Sequence, residues 1–429
     1  MEAVKQGVEA ELDRERKEED VAQSWWRGVT KKEWNALIAG FFGYALDAFD
    51  VMVYAFALTT LLGEWGLSAV EAGFLATVTL FSSAVGGIGA GLFSDKLGRK
   101  KAIMTTILLF SIFTGLSGLA QNLVQLAIAR TILGLGMGGQ WTAGVLLISE
   151  TWSTKNRAKA IGIMQSGWAF GYVMAAIASM VILPVWGWRT LFMIGIIPGA
   201  LLLVWLAVAV EETDMWKSMK QGETAQRVSV WQIFSPQLIR YTLVITLSST
   251  FMMFAYWGLF TWLPGYLSTP VEKGGAGLSI LKSSGFMIPT MLGAWIGYVT
   301  YGFFADKFGR RPVFAIYLMI AAVLVYFYGS VRNVTTLMIL GPLVGIFGSG
   351  SFSGFGAICS ESFPTAVRGV GTGFTYNVGR MISAVSPMVI GYFAGLYGMG
   401  SALGLTSFAY FLAGVSIFLI PESKGKSLE

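Results

Sequence analysis

Histidine is absent from this 429-residue chain, and cysteine occurs once, at Cys359. A single cysteine excludes an intrachain disulfide, and the lack of histidine removes the commonest ligand of zinc and the commonest general base. The chain contains no Gly-x-x-x-x-Gly-Lys-Ser/Thr loop, which disfavours ATP-driven chemistry. We therefore expect a protein that is not an enzyme and that binds no metal or cofactor.

Charge is also scarce. Charged residues make up 13% of the sequence, hydrophobic residues make up 55%, and the mean hydropathy is +0.64. Such a chain has too little polar surface for a soluble protein, and it repeats apolar runs of bilayer-spanning length. Because a backbone in lipid must satisfy its own hydrogen bonds, we predict an all-α integral membrane protein. Twelve transmembrane helices are predicted at roughly 34–62, 69–94, 101–121, 123–149, 157–184, 188–210, 238–266, 280–304, 312–330, 333–359, 367–395 and 400–420.

Four charged side chains fall well inside these runs: Asp47, Asp50, Arg130 and Arg380. A charge in hydrocarbon costs several kcal/mol unless it is paired or hydrated, so these four predict a functional site. Two acids and two arginines sum to zero. An anionic substrate would unbalance the site by one charge, and a proton on one aspartate would restore the balance. This arithmetic predicts that a small organic anion is carried together with a proton.

The distribution of lysine and arginine predicts the topology. Residues 1–33 hold seven Lys/Arg and nine Asp/Glu, so we expect no signal peptide there. When Lys and Arg near the span ends are counted with the adjoining loops, 24 fall in the termini and even-numbered loops, and four fall in the odd-numbered loops. Both termini are therefore predicted to be cytoplasmic, in a bacterial inner membrane. The net charge of +6 follows from this asymmetry, and we expect no nucleic-acid partner.

The chain repeats itself at an offset of 211 residues. Gly91-Leu-Phe-Ser-Asp95-Lys-Leu-Gly98-Arg99-Lys100 matches Gly302-Phe-Phe-Ala-Asp306-Lys-Phe-Gly309-Arg310-Arg311, Glu150 and Arg157 match Glu361 and Arg368, and Glu211 matches Glu422. Six spans and their repeat predict two parallel halves, with the substrate between them near the midplane. We predict an amino-terminal segment at 1–33, halves at 34–210 and 237–420, a cytoplasmic linker at 211–236 and a tail at 421–429.

Several of these motifs resemble a known family. The repeated loop motif and Arg130-Thr-Ile-Leu-Gly134-Leu-Gly136-Met-Gly138-Gly139 resemble the signature motifs of the major facilitator superfamily. Leu46-Asp47-Ala-Phe-Asp50, Val185-Trp-Gly-Trp-Arg189 and Gly379-Arg380 resemble the sialate and lactate/pyruvate proton symporters, with the aromatic-acid proton symporters next closest. Some sialate transporters of that group carry two extra central helices. Residues 211–236 are too short and polar for them, so the resemblance favours smaller monocarboxylates.

The first and fourth spans carry the predicted proton-coupling residues. At about 100° per residue, Asp47 and Asp50 share one helical stripe with Tyr44 and Tyr54. Two carboxylates one turn apart repel each other when both are ionised, which favours a proton on one of them. Arg130 is predicted to lie at the level of Asp50 as its countercharge, and the resemblance implies a part in proton movement. The alternative is that these residues cap or brace helices.

The eleventh span carries the predicted substrate clamp. The planar guanidinium of Arg380 matches a carboxylate bidentately; the alternative is a permanent salt bridge to an aspartate. Aromatic and amide side chains near it are predicted to line the substrate site, although such stripes are often only packing. The predicted lining residues are Tyr376, Asn377, Tyr44, Tyr54, Gln165, Trp168, Tyr172, Trp141, Tyr256 and Phe260.

A second group of charges lies at the loop ends of both halves. We predict that these residues latch the cytoplasmic side while the outer side is open; the alternative is solvated charge that only sets orientation. The predicted conformational gate consists of Asp95, Arg99, Glu150, Arg157, Asp306, Arg310, Glu361 and Arg368.

We conclude that the sequence predicts a monomeric, twelve-helix secondary transporter that takes up a small organic monocarboxylate with a proton. One alternative is a proton-driven drug or metabolite antiporter; residues 161–183 lack the proline of the Gly-Pro pair typical of that class. Aromatic-acid or sialic-acid symport is a further alternative. A membrane sensor is disfavoured because the tails are too short for an evident signalling domain.

Overall fold

The computed structural model describes residues 28–153, 156–214, 216–217, 230–364 and 367–422. All regular elements in these ranges are helices. Residues 1–27, most of the predicted linker and the last part of the predicted tail lie outside the described residues. Ten segments within the described ranges are long and apolar enough to cross a membrane.

The first half contains six helices. They are α1 (Lys31–Trp65), α2 (Ala69–Leu97), α3 (Arg99–Ser117), α4 (Leu123–Thr151), α5 (Arg157–Ile194) and α6 (Ile196–Ala209). Capping boxes start α1 and α2: Thr30 pairs with Glu33, and Ser68 pairs with Glu71. In each box, the hydroxyl and the carboxylate accept hydrogen bonds from backbone N–H groups that have no partner within the helix. These bonds fix the residue at which each helix starts.

The fifth and sixth crossings divide at Gly187, between the predicted spans 157–184 and 188–210. Helix α5 continues through Gly187, whose φ of 74° and ψ of 178° break the helical path. Only glycine adopts such a conformation readily, so the chain reverses its direction there. The sixth crossing therefore comprises the end of α5, Gly195 and α6, and the segment 159–209 holds two crossings.

The second half repeats this arrangement with seven helices. They are α7 (Ile239–Ser268), α8 (Ile280–Phe308), α9 (Arg310–Ser330), α10 (Val334–Ser362), α11 (Arg368–Ser383), α12 (Ser386–Tyr397) and α13 (Met399–Ser416). The predicted eleventh span is two helices, α11 and α12, because Pro387 stands in the first turn of α12 and lacks an N–H to continue the ladder. Short 3₁₀ turns occupy Val230–Phe234, Val271–Lys273 and Ile417–Leu419.

Matching glycines pack both halves in the same way. A Cβ on Gly134 would lie 2.4 Å from the carbonyl oxygen of Thr79, and one on Gly345 would lie 1.9 Å from that of Thr290. Both distances are too short for a side chain, so only glycine allows α4 to touch α2 and α10 to touch α8. The two contacts are related by the repeat offset of 211 residues. The sequence repeat is thus also a repeat in helix packing.

The two halves meet through α5 and α8, α1 and α7, and α2 with α11 and α12. We call the side where α1 begins and α13 ends the terminal side, and the opposite side the distal side. On the distal side the backbones touch: a Cβ on Gly73 would lie 2.5 Å from Pro387 O, and one on Gly391 would lie 2.2 Å from Ala69 O. The halves are therefore closed against each other on the distal side.

Candidate functional site

A small cavity of about 30 Å³ lies between the two halves. A space of this size holds a water molecule, so its walls must part before an organic molecule can enter. Seven of its ten lining residues are predicted substrate-binding residues. The lining residues are Tyr44, Trp141, Gln165, Trp168, Tyr256, Trp257, Tyr298, Phe352, Tyr376 and Arg380.

Two contacts join the halves at the cavity wall. The Trp168 indole Nε1 on α5 donates a hydrogen bond of 2.7 Å to the Tyr256 hydroxyl on α7. Trp141 on α4 stacks on Tyr376 of α11, with ring centroids 4.8 Å apart and an interplanar angle of 11°. Because α11 starts on the terminal side, Tyr376 lies one turn closer to that side than Arg380. The stacked pair therefore lies between Arg380 and the terminal side.

Arg380 is the one charged residue in the cavity wall. It is 5% exposed, and its Cζ lies 5.8 Å from the centre of the Trp257 ring. Within the described ranges its guanidinium enters no ion pair, and its buried Nε has no hydrogen-bond acceptor. A buried guanidinium without a protein acceptor costs free energy. The geometry therefore leaves Arg380 available to an anionic group in the cavity.

Asp47 lies on α1, one turn from the cavity residue Tyr44. It is 2% exposed, and its Oδ1 has no hydrogen-bond partner among the described atoms. Arg380 attracts Asp47, but the two form no ion pair within 4 Å in the part of the chain that the structure describes. The two opposite charges are thus neighbours without neutralising each other directly.

Arg130 and Asp50 lie together on the distal side of Asp47. The Arg130 Nε donates to the Thr79 hydroxyl at 3.2 Å, and its Nη1 donates to the Asp50 backbone carbonyl at 3.4 Å. The Tyr54 ring lies under the guanidinium, 4.6 Å from Cζ to the ring centre. Both Arg130 and Asp50 are buried. The structure therefore brings three predicted residues together, at a position away from the cavity wall.

Four predicted lining residues lie outside the cavity wall. The Tyr54 hydroxyl donates to Ala72 O at 2.6 Å, and the Tyr172 hydroxyl donates to Phe260 O at 3.4 Å. Asn377 donates to Gly373 O on its own helix at 2.9 Å. Phe260 packs its ring against Tyr256 from behind the wall, with centroids 4.5 Å apart. These side chains support the residues that face the cavity.

The predicted gate residues form matching ion pairs in the two halves. The Arg99 guanidinium lies 2.6 Å from Glu150, and the Arg310 guanidinium lies 3.0 Å from Glu361. Each pair joins helices of one half. Arg157 and Arg368 begin α5 and α11, and the side chains of Asp95 and Asp306 are outside the described part.

A carboxylate also caps the helix that follows each repeated loop. Glu212 accepts hydrogen bonds from the backbone N–H groups of Arg99 at 2.7 Å and Lys100 at 3.3 Å. Glu422 accepts from Arg310 and Arg311 N–H groups at 3.0 and 3.1 Å. The expected match of Glu211 with Glu422 is wrong: Glu212 occupies the equivalent position, so the repeat slips by one residue there. Two residues after Glu212, the Asp214 carboxylate accepts a hydrogen bond from the Lys32 ammonium group. This bond lowers the pKa of the Asp214 carboxyl.

Three wall residues were missed by the sequence predictions: Trp257, Tyr298 and Phe352. Phe352 could have been found, because it is the counterpart of Trp141 at the offset of 211 residues. Gln165 and Tyr376 are related in the same way. The described residues contain no cluster of three or more His, Cys, Asp or Glu that could hold a metal.

The sequence profile of the Major Facilitator Superfamily matches residues 40–300 and 274–429. The chain belongs to this superfamily. It is therefore a membrane transporter and not an enzyme. The predicted fold, an all-α membrane protein with two six-crossing halves, is confirmed.

Individual transporters are also similar to this chain, in sequence or in structure. A cis,cis-muconate transport protein of Acinetobacter baylyi is 33% identical over 399 residues, covering 91% of this chain and 94% of its own length. A sialic acid transporter, NanX, of Escherichia coli is 30% identical over 398 residues, covering 91% and 94%. A crystal structure of a D-xylose-proton symporter superposes with a TM-score of 0.74 at 20% identity, covering 92% of this chain and all of that one. The resemblance to the sialate transporters and their relatives is confirmed.

Proposed function

We propose that the protein is a secondary transporter that carries a small organic monocarboxylate together with a proton by alternating access. The observation that carries this proposal is the state of Arg380, which is buried in the cavity wall and has no acceptor for its Nε in the described structure. A carboxylate would give the guanidinium two parallel charge-assisted hydrogen bonds. The Trp257 ring on one side of the guanidinium would hold it in the plane that this pairing needs.

The proton is assigned to Asp47 or Asp50. Both carboxyls are buried, and each has an oxygen without a hydrogen-bond partner among the described residues. Together with Arg130 and Arg380 they make a site of zero net charge, so one bound carboxylate leaves one excess negative charge. Protonation of one aspartate removes this excess charge before the loaded carrier changes the side to which its cavity opens. An unbalanced charge inside the membrane would be costly in that step.

Access to the cavity alternates between the two sides. The distal side is closed by backbone contacts between α2 and α12, whereas the wall towards the terminal side includes the stacked rings of Trp141 and Tyr376. Opening the terminal side means parting side chains, whereas opening the distal side means parting two helices whose backbones touch. The arrangement therefore supports a carrier poised to release substrate on the terminal side. The excess of Lys and Arg in terminal-side loops supports a cytoplasmic location for that side, in a bacterial inner membrane.

An aromatic or otherwise planar acid is the second candidate substrate. Eight of the ten wall residues are aromatic, and flat rings stack well on such surfaces. The names of the relatives support acids in general, since one is a cis,cis-muconate transport protein and another a sialic acid transporter. A planar acid retains the same carboxylate clamp, so the coupling mechanism is unchanged.

Proteoliposomes test this proposal. An inward proton gradient without a sodium gradient should concentrate a labelled monocarboxylate, with lactate, pyruvate and benzoate as probes. A one-to-one cycle moves no net charge, so clamping the membrane potential at zero should leave accumulation unchanged. Accumulation that follows an imposed sodium gradient and ignores pH would contradict the proposal.

A further inference from the structure

The cavity wall contains a hydrogen-bond donor that the carboxylate clamp does not use. Gln165 lies on α5, in the first half, and its half-buried side chain lines the cavity. Its Oε1 accepts a hydrogen bond of 2.9 Å from the Trp141 indole Nε1 of α4. Its amide Nε2 donates to no acceptor among the described residues. A polar group of this kind at a cavity wall is available to a ligand.

The indole determines which end of the Gln165 amide is left over. A carboxamide has an acceptor oxygen at one end and a donor NH₂ group of nearly the same shape at the other. An indole N–H can only donate, so it must bond the oxygen. Gln165 therefore presents its NH₂ group to the cavity, and it could not present its oxygen without breaking this bond.

The donor keeps its orientation when the cavity opens. Trp141 and Gln165 both belong to the first half, so parting the halves does not break the hydrogen bond between them. The stack of Trp141 on Tyr376 does join the halves, and it must separate. A substrate that enters from the terminal side therefore meets an oriented donor on one half and the Arg380 guanidinium on the other.

The repeat shows that each half contributes a different polar group. At the offset of 211 residues, Gln165 corresponds to Tyr376, and Arg380 corresponds to Ala169. Halves related by an axis along the membrane normal place equivalent residues at equal depth. Because Tyr376 precedes Arg380 by about one turn of α11, Gln165 lies about one turn closer to the terminal side than Arg380. The two groups can therefore bind different parts of one substrate.

We propose that Gln165 selects substrates that carry a second, uncharged hydrogen-bond acceptor besides the carboxylate, namely a ketone or ester carbonyl. The carboxylate binds Arg380, and the carbonyl oxygen accepts a hydrogen bond from Gln165 Nε2, so that one molecule bridges the two halves. The second acceptor is uncharged because the charges of the site sum to zero and one proton balances only one carboxylate. This inference rests on the proposed function and names the substrate class for the same site.

Matched pairs of acids test the inference. 4-Oxopentanoate differs from pentanoate by one carbonyl oxygen, as 4-acetylbenzoate does from 4-ethylbenzoate, and the acids of a pair carry the same charge. Equilibrium affinity for each acid is measured with the purified full-length protein at mildly alkaline pH. Gln165→Met removes the donor at similar size, and Gln165→Glu keeps the acceptor for Trp141 but replaces the NH₂ group with an oxygen. Gln232→Met is the control, because Gln232 is exposed and lies outside the cavity wall.

The measured quantity is the affinity for the keto acid divided by the affinity for its alkyl partner. We expect this ratio to fall about tenfold from the parent to Gln165→Met, and at least as far in Gln165→Glu, because the carbonyl loses its donor. Affinity of the methionine variant for pentanoate should stay within about twofold of the parent, since Arg380 is unchanged. Trp141→Phe lets the amide turn, so the ratio should fall about threefold. Gln232→Met should match the parent.

Three outcomes would overturn the inference. They are an unchanged ratio in both Gln165 variants, an equal fall in Gln232→Met, and a parent that binds succinate, the dicarboxylate matched to 4-oxopentanoate, more tightly than the keto acid. A parent that binds neither acid of either pair would overturn the proposed function as well. If the parent selects the keto acid but its accumulation ignores an imposed proton gradient, the proposed coupling fails and the role of Gln165 stands.

Discussion

Arg130 binds the peptide carbonyl of Asp50, at 3.4 Å, and forms no ion pair with its carboxylate in the described structure. The arginine therefore holds the backbone of α1 in place while the carboxylate points elsewhere, towards Gly195. A direct ion pair would tie the proposed proton site to a permanent partner. The observed arrangement keeps a positive charge near Asp50 and leaves its carboxyl able to gain and lose a proton.

The first prediction concerns the two aspartates. Asp47→Asn and Asp50→Asn should each suppress proton-driven accumulation, because an amide cannot exchange the proton. At least one of the two variants should retain counterflow, since a permanently neutral side chain resembles the loaded carrier. Accumulation and counterflow are measured in the same liposome preparation. If both variants accumulate substrate as well as the parent, neither aspartate carries the proton.

The second prediction concerns the stack of Trp141 on Tyr376. Trp141→Ala removes the ring contact across the halves, which is worth about 0.5–1.5 kcal/mol beyond surface burial. We expect weaker substrate binding, by up to about tenfold, and faster release to the terminal side. Trp141→Phe should retain most of the parent's affinity.

The control for this prediction is Trp231→Ala, because Trp231 is 79% exposed and lies outside the cavity wall. Equilibrium binding to detergent-solubilised protein and the rate of counterflow are the measurements. If Trp141→Ala leaves substrate affinity and the rate of substrate release unchanged, the stack does not lie on the path by which substrate leaves the cavity.

The third prediction concerns the cap on α3. Glu212→Ala removes the carboxylate that bonds two N–H groups at the positive end of this helix, which should cost about 1–2 kcal/mol of stability. Glu211→Ala is a matched control, because Glu211 is the exposed neighbouring acid. The apparent melting temperature of the purified protein should fall in the first variant only. A similar fall in both would assign the effect to loss of surface charge.

The sequence predicted the helix content and the two-fold repeat well, because hydrophobic length and a constant offset depend only on local residue order. It failed where a small local feature changes the chain path. Pro387 divides the eleventh crossing into two helices, and one extra residue shifts the cap from Glu211 to Glu212. Neither feature alters the hydropathy of a long window.

The cavity was harder to predict residue by residue. Periodicity places Tyr54 and Tyr44 on one stripe of α1, yet only Tyr44 faces the cavity, because Tyr54 instead lies under Arg130. Depth along the helix decides between them, and depth depends on how α1 is tilted against its neighbours. The repeat offset carries information that periodicity lacks, as Phe352 and Trp141 show.

The measurement that tests the account most directly compares an acid with its uncharged amide. Equilibrium affinity for benzoate and benzamide, and for lactate and lactamide, is determined for the parent and for Arg380→Lys. The lysine keeps the charge but loses the planar fork. We predict that the parent binds its preferred acid at least about tenfold more tightly than the amide, and that Arg380→Lys loses most of this preference. Equal affinity of the parent for the acid and the amide would contradict the assignment of Arg380 as a carboxylate clamp.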